Sequence, residues 1–95
     1  MTGSTRSSEG LDPRRRRLLF RSWHRGIREM DLIMGRFSDA HIAELTDAEL
    51  DDYEKLMELR DQELLSWIDG TAAVPGEHDT ALFRRLRDFN HRIDR

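Results

Sequence analysis

Residues 46–57, TDAELDDYEKLM, contain the clearest helix-start pattern in the chain. Thr46 and Glu49 stand three positions apart, as in a capping box, where the threonine hydroxyl accepts from the third helical N–H and the glutamate carboxylate accepts from the cap N–H. Apolar residues then follow at helical spacing and predict one buried face. That face comprises Leu50, Tyr53, Leu56 and Met57. The segment therefore predicts an amphipathic helix that starts directly after Thr46.

The preceding sequence predicts two further helices separated by Gly26. Asp12 followed by Pro13 is typical of an N-cap and a first helical residue, so we expect a helix from Arg14 to about Arg25. Its apolar residues are expected to face inward: Leu18, Leu19, Phe20 and Trp23. The next helix has a predicted buried face of Ile27, Met30, Ile33, Met34 and Phe37. Gly35 is a mild fault in it, because glycine inside a helix costs about 0.5–1 kcal/mol relative to alanine.

The sequence after residue 60 predicts two more helices around a loop. Asp61 is the expected cap of a short helix that Gly70 ends, and residues 71–78 are expected to form a loop. Asp79 or Thr80 should cap the last helix, whose apolar residues are Leu82, Phe83, Leu86, Phe89 and Ile93. No segment alternates with a period of two. We predict an all-α fold, a compact bundle of about five short antiparallel helices, with residues 12–95 as a single domain and residues 1–11 as a disordered tail.

Length and composition limit the functions open to the chain. A chain of 95 residues buries only about 60–65% of its unfolded surface, too little for a deep walled pocket, so we expect no catalytic residues and no enzyme. The absence of cysteine excludes a disulfide framework. The longest apolar run, Leu18-Leu19-Phe20, is far shorter than the roughly 20 residues of a membrane span, and Met1 to Gly10 has no signal-peptide core. We expect a cytoplasmic location and no membrane insertion.

Charge is distributed unevenly, although the net charge is only −3. Residues 1–28 hold eight arginines and two acidic residues, whereas residues 29–79 hold three basic and fifteen acidic residues. The run Arg14 to Arg17 suggests an alternative function, a small helical nucleic-acid-binding or regulatory module, because clustered arginines neutralise phosphates. The acidic middle would repel a polyanion, so we favour no nucleic-acid partner. The four histidines lack the spacing of a zinc site, and no metal site is expected: His24, His41, His78 and His91.

Residues 23–31, WHRGIREMD, place a glycine between two predicted helices with charges of both signs around it. A simple turn needs only Gly26. Glycine also lets another surface approach the backbone closely, and flanking charges then form charge-assisted hydrogen bonds across the contact. The flanking charged residues are Arg25, Arg28, Glu29 and Asp31. We therefore predict a protein-docking site in this segment.

The string RGIRE at residues 25–29 fits the pattern RGxxE, and the chain resembles the FAD assembly factor SdhE family, also called the succinate dehydrogenase assembly factor 2 family. The resemblance covers about residues 13–92. It includes a basic first helix ending in RG, the stretch REMDLIMGRFSDAHIAELTDAELDDYEKLMEL, then DQELLSWI, a Pro/Gly loop and a final Arg-rich helix. The order of these segments, together with RGxxE, makes the resemblance specific.

The resemblance implies an assembly factor, or chaperone, without a cofactor of its own. Members of that family are small five-helix proteins that bind the flavoprotein subunit of succinate dehydrogenase, and in some bacteria that of fumarate reductase. They promote covalent attachment of FAD to a histidine of that subunit. Carried over residue by residue, the pattern implies Arg25, Gly26 and Glu29 as partner contacts. His24, Arg28 and Asp31 are added as partner-binding residues from their position alone.

Overall fold

A computed structural model describes residues 9–93 of the chain, and every regular element in that range is helical. The predicted all-α class with about five helices is confirmed. The five α-helices of this range are α1 (Pro13–Ser22), α2 (Arg28–His41), α3 (Asp47–Met57), α4 (Asp61–Ile68) and α5 (Ala81–Ile93). A single 3-10 turn, Gly76–His78, lies in the predicted loop between α4 and α5.

The helices fall into two compact units, with the boundary between Leu45 and Thr46. In the first unit α1 packs against α2, and in the second α3 packs against α5. The single domain over residues 12–95 stays a prediction. Of the predicted tail, residues 1–8 lie outside the described residues, whereas Leu11 is buried with 7% of its surface exposed. The packed part of the chain therefore includes at least one residue before the Asp12 cap.

Arg15 joins the start of α1 to the chain that leaves α2. The Asp12 carboxylate caps the helix by accepting from the Arg15 backbone N–H at 3.4 Å. The Arg15 guanidinium donates to the same carboxylate at 2.8 Å, to the Ile42 carbonyl at 3.0 Å and to the Leu45 carbonyl. The hydrogen bond with Arg15 lowers the pKa of Asp12. One arginine of the basic run thus satisfies carbonyl groups at the end of a neighbouring helix, where intrahelical partners are lacking.

The end of α1 is held by Trp23, whose indole lies directly on the backbone of α2. A methyl group built at Gly35 would come within 2.3–2.7 Å of the indole ring, so only glycine permits this contact. The indole Nε1 donates to the Asp39 carboxylate at 3.1 Å, one helical turn further along α2. Gly35 is therefore the position on α2 against which Trp23 packs. The prediction that this glycine is only unfavourable for the helix missed this role.

Two buried serines complete the contact between α1 and α2. The Ser22 hydroxyl lies 2.7 Å from the Leu18 carbonyl oxygen and 2.7 Å from the Ser38 hydroxyl. Both serines are fully buried. Because a buried hydroxyl without a hydrogen bond costs about 1–3 kcal/mol, this pairing is needed for the two helices to approach closely at small residues.

The inward face predicted for α1 is wrong at Phe20, which is 63% exposed. The buried residues Leu18, Leu19 and Ser22 follow one face of the helix, and Trp23 continues that side. Phe20 falls on the opposite face, beside the exposed Arg16 and Arg17. The apolar spacing predicted that Phe20 would be buried, whereas in the structure the small Ser22 is the residue of α1 that packs against α2. α1 also ends at Ser22, earlier than the predicted Arg25.

The capping box predicted for α3 is confirmed in the second unit. Thr46 Oγ1 accepts from the Glu49 N–H at 3.1 Å, and a Glu49 carboxylate oxygen accepts from the Thr46 N–H at 2.8 Å. The other Glu49 oxygen accepts from Arg85 of α5 at 2.9 Å. The backbone hydrogen bond to Thr46, together with the charge of Arg85, lowers the pKa of Glu49. The predicted inward residues of α3 are all buried: Leu50, Tyr53, Leu56 and Met57.

The caps of α4 and α5 differ in part from the prediction. The cap position of α4 is Arg60, whose carbonyl accepts the first intrahelical bond from Leu64, so Asp61 lies in the first turn instead of capping it. Gly70 follows the end of α4 with φ +85°, as predicted. At α5, Thr80 Oγ1 accepts from the Phe83 N–H at 3.0 Å. Of the predicted inward residues of α5, Leu82, Phe83 and Leu86 are buried, Phe89 is half-buried, and the side chain of Ile93 lies outside the described residues.

We expect Gly35→Ala to destabilise the protein, although alanine is the better helix former. The gain in helix propensity is about 1 kcal/mol. Forcing a methyl group against the buried indole costs about 1–3 kcal/mol, since overpacked cores shift neighbouring groups. Urea unfolding measures the difference. Gly76→Ala is the control, because a methyl group there meets nothing within 4 Å. A Gly35→Ala protein as stable as the wild type would contradict the packing of Trp23.

We expect Glu49→Gln to reduce stability at pH 7 and to have a smaller effect at pH 3. A lowered pKa means that ionised Glu49 stabilises the fold above the ordinary carboxyl pKa, and that this contribution is lost as pH falls through the lowered value. Glutamine keeps the cap hydrogen bond but loses the ion pair with Arg85, a change of up to about 1 kcal/mol. Denaturant unfolding at both pH values measures it, with Glu63→Gln as the control. Equal losses at the two pH values would refute this account.

Candidate partner-docking site

The segment between α1 and α2, with the first turn of α2, forms a tight bend that we call the RG corner (residues 24–31). Gly26 has φ +120°, a conformation that L side chains rarely adopt. It is exposed to solvent. The next residue, Ile27, takes the cap position of α2 in an extended conformation without a side-chain cap bond. The backbone at Gly26 is therefore bare and conformationally specified.

Asp31 stabilises the RG corner through hydrogen bonds to its backbone. Its carboxylate accepts the backbone N–H of Arg25, while its own N–H donates to the Ile27 carbonyl at 3.0 Å. Asp31 and Arg25 are both half-buried. The acidic side chain also lies in the first turn of α2, where the helix dipole favours a negative charge. The geometry gives Asp31 a role in positioning the corner, and the partner contact predicted from its sequence position stays a prediction.

Arg28 and Glu29 project from the first turn of α2 and are exposed. Neither side chain forms a hydrogen bond or an ion pair with another residue of the described range 9–93. Together with Gly26 they offer a cation, an anion and an open stretch of backbone within four positions. Such a surface is suited to charge-assisted hydrogen bonds with a second protein.

His24 connects the RG corner to the exposed side of α1. Its ring stacks on Phe20 with centroids 4.0 Å apart and planes 16° apart. Its Nδ1 lies 2.7 Å from the Phe20 carbonyl oxygen. Because a carbonyl only accepts, Nδ1 carries the proton in this contact. His24 is exposed but held in one orientation.

The six predicted partner-binding residues therefore share one bend but differ in accessibility. His24, Gly26, Arg28 and Glu29 are exposed, whereas Arg25 and Asp31 are half-buried. Sequence reasoning missed Phe20 as part of this surface, because an aromatic residue in an amphipathic helix was assigned to the core. The only signal for it was the helical face that it shares with Arg16 and Arg17.

Three further predictions concern a metal site, a membrane span and the four histidines. Among residues 9–93 no group of three or more His, Cys, Asp or Glu side chains is arranged to hold a metal ion. No helix in the same range has the length and apolarity needed to cross a membrane. The histidines have local partners instead: His91 Nε2 lies 2.9 Å from the Ile68 carbonyl oxygen, and the His78 ring stacks on Trp67.

The alternative nucleic-acid function is not supported. Of the basic run Arg14 to Arg17, Arg15 uses its guanidinium on Asp12 and on two backbone carbonyls, so it is a structural residue. Arg16 and Arg17 are exposed. The run is thus divided between the two sides of α1, and it is not a continuous strip for phosphates.

An exposed bend that carries charges of both signs beside an open backbone, on a small helical chain, is typical of proteins that bind another protein. The chain is a member of the family described as flavinator of succinate dehydrogenase, whose family model matches residues 16–90. This confirms the family resemblance. The match includes the RG corner and the exposed face of α1.

Curated relatives of this chain carry related names. The FAD assembly factor SdhE of Acetobacter pasteurianus is 40% identical over 80 residues, which are 84% of this chain and 73% of that protein. The mitochondrial succinate dehydrogenase assembly factor 2 of Candida glabrata is 33% identical over 89 residues, 90% of this chain. That of Dictyostelium discoideum is 35% identical over 77 residues, 81% of this chain. The matches span only 58% and 55% of these two mitochondrial relatives.

We expect Asp31→Ala to loosen the RG corner without unfolding the protein. The substitution removes the acceptor of the Arg25 N–H, which is worth about 0.5–1.5 kcal/mol in stability. Amide hydrogen exchange at Arg25 should accelerate by about two- to tenfold, because each 1.4 kcal/mol is a factor of ten. Asp47→Ala, in the first turn of α3, is the matched control. Unchanged protection of the Arg25 amide would contradict the role of Asp31.

Proposed function

We propose that this protein is an assembly factor that binds the flavoprotein subunit of succinate dehydrogenase and promotes the covalent attachment of FAD to it. The observation that carries the proposal is the RG corner in a chain of this family. There, an exposed glycine with φ +120° stands beside two exposed charges that bond to no described residue. The bend needs the glycine but neither of the two exposed charges, and exposed charges beside an open backbone suit a docking surface.

The residues of the RG corner have different roles in the proposal. Gly26 allows the client surface to approach the backbone, and Glu29 and Arg28 form charge-assisted hydrogen bonds across the contact. Arg25 contributes to the contact from its half-buried position, and Asp31 keeps the bend in shape. His24 lies at the edge of the contact, oriented by Phe20.

The protein acts through binding and carries out no chemical step itself. It favours a conformer of the client in which FAD and the acceptor histidine are aligned for reaction. A binding protein shifts such an equilibrium only by its difference in affinity for the two conformers. It must therefore bind the client before attachment more tightly than the mature client, since release would otherwise fail.

We expect Gly26→Arg and Glu29→Ala to reduce covalent flavin in the client about tenfold or more, since truncated interface hot spots cost at least about 2 kcal/mol. Purified flavoprotein subunit is incubated with FAD and with each helper variant. Fluorescence of the denatured subunit in a gel measures covalent flavin. Normal attachment with both variants, each folded by circular dichroism, would remove the proposal.

Two matched controls separate docking from folding. Gly70→Arg places the same side chain at another exposed glycine of positive φ, +85°, where a methyl group meets nothing within 4 Å. Glu63→Ala removes another exposed glutamate from a first helical turn. Both control proteins should support normal flavin attachment. A loss with Gly70→Arg equal to that with Gly26→Arg would point to backbone strain instead of docking.

The client range and the location are part of the proposal. Parallel reactions with the flavoprotein subunits of succinate dehydrogenase and of fumarate reductase compare the two clients. Flavin attachment takes place where the client is folded, so we propose that the protein acts in the cytoplasm of a bacterial cell. Fractionation of cells with an antibody to this chain measures the location.

A further inference from the structure

We propose that the exposed face of α1 extends the docking surface and binds a client segment in which carboxylates surround an apolar side chain. We call this face the α1 patch, and it comprises Arg16, Arg17, Phe20, Arg21 and His24. The inference rests on the proposed function, because it takes the flavoprotein subunit as the client. It adds a second contact area and states the chemistry that the client must offer there.

Phe20 is the centre of the α1 patch. At 63% exposure it is the only large apolar side chain that is exposed among the described residues. Other residues of α1 contribute to the core of the described range. Leu18 is only 2% exposed and Leu19 only 4% exposed. Phe20 is therefore not needed to close the core, and only together with the apolar stems of the neighbouring arginines does it form a contiguous apolar area that a partner can cover.

The arginines turn this position into a shallow depression. Arg16, Arg17 and Arg21 line it together with Phe20, and its wall is almost entirely apolar, because the methylene stems of the arginines lie along it. Because each arginine stem ends in a guanidinium group, positive charge accompanies this apolar surface. An apolar surface accompanied by positive charge fits an apolar side chain flanked by carboxylates.

The aromatic part of the α1 patch is preorganised. The His24 ring stacks on the Phe20 ring, and its Nδ1 bonds to the Phe20 carbonyl. A side chain that is already fixed loses less conformational entropy on binding, which makes it a suitable anchor. Aromatic residues and arginine are also the types most enriched among interface hot spots.

The α1 patch is continuous with the RG corner. Arg17, Phe20 and Arg21 follow the i, i+3, i+4 pattern of one helical face, and His24, two residues after the end of α1, stacks on Phe20. His24 directly precedes Arg25 and Gly26. A client surface seated on Gly26 therefore meets His24 and Phe20 next along α1.

Charge selects the occupant. Arg16 and Arg17 form no ion pair with any residue of the range 9–93, so these two cations are available to a partner. A protein segment with carboxylates complements them. Residues 29–79 hold fifteen acidic and only three basic residues, and this excess of negative charge disfavours a nucleic acid. The observations thus favour an acidic protein segment.

We expect Phe20→Ala and Arg17→Glu each to raise the Kd for the FAD-free flavoprotein subunit about thirtyfold, the smallest effect that defines an interface hot spot. Phe20→Leu keeps the apolar floor and should restore most of the affinity. Arg60→Glu makes the same charge change at an exposed arginine outside the patch and should leave Kd unchanged. Titration by fluorescence anisotropy at two salt concentrations measures these constants, and Arg17→Glu should also weaken their salt dependence. Unchanged Kd in both patch variants would overturn the proposal.

A photo-cross-linking amino acid at position 20 identifies the occupant directly. In a mixture of the full-length protein and the flavoprotein subunit, mass spectrometry should find one client peptide that contains at least two carboxylates and an apolar residue. A cross-link to a second copy of this chain would overturn the proposal. Tight binding of single-stranded DNA at physiological salt, lost on Arg17→Glu, would overturn it as well. So would a cross-linked client peptide without acidic residues.

The two proposals fail in different ways. If the α1 patch is not a contact, Phe20→Ala binds the client normally while Gly26→Arg still abolishes flavin attachment. If the proposed function is wrong, the wild-type protein does not bind the flavoprotein subunit at all, and Gly26→Arg changes nothing.

Discussion

The geometry of the docking surface depends on the contact between the Trp23 indole and the bare backbone at Gly35. α1 ends at Ser22, and this contact holds the next residue, the C-cap Trp23, against α2. The hydrogen bond from the indole to Asp39 sets the direction in which the ring lies. With both in place, only the short segment from His24 to Ile27 remains to join the two helices, and Gly26 must adopt a positive φ for it to do so. A core contact thus determines the shape of an exposed bend.

The bend is specified by backbone interactions, which leaves its side chains available. Asp31 binds the Arg25 N–H, and the Ile27 carbonyl accepts from Asp31, so the bend needs neither Arg28 nor Glu29 to keep its shape. These two side chains therefore add nothing to the fold that another polar residue would not add. Within these eight residues the Asp31 carboxylate stabilises the bend, whereas the Glu29 carboxylate is exposed and is available for the proposed contact.

The local patterns were sufficient for the helices and for the bend, but not for the face of α1. The start of α3 was predictable because both halves of the capping box lie within four residues. Phe20 was misassigned because the pairing of Ser22 with Ser38 and of Trp23 with Gly35 joins positions 12 to 16 residues apart, and neither pair has a pattern that spacing rules detect. The role of Arg15 was equally unpredictable. Its partners are the backbone carbonyls of Ile42 and Leu45, and since every residue has a backbone carbonyl, no sequence pattern marks these two. The bend at Gly26 was predictable because a glycine separates two helical patterns, whereas its docking role stays a prediction. The division of the RG corner into exposed and half-buried residues was not predictable.

A shallow surface is sufficient for the proposed role, because the free energy required is small. To favour the reactive conformer of a client tenfold, a binding protein needs a difference in affinity of only about 1.4 kcal/mol between the two conformers. One charge-assisted hydrogen bond is worth about 1.5–3 kcal/mol, so a single contact made by Glu29 or Arg28 to one conformer alone reaches this value. A much larger difference in affinity between the two conformers would require stronger contacts. If those contacts persisted after flavin attachment, they would slow release from the mature client. A short chain without a walled pocket, using a rigid bend for selectivity and an aromatic anchor on α1 for affinity, meets both requirements, whereas a deep interface would meet only the first.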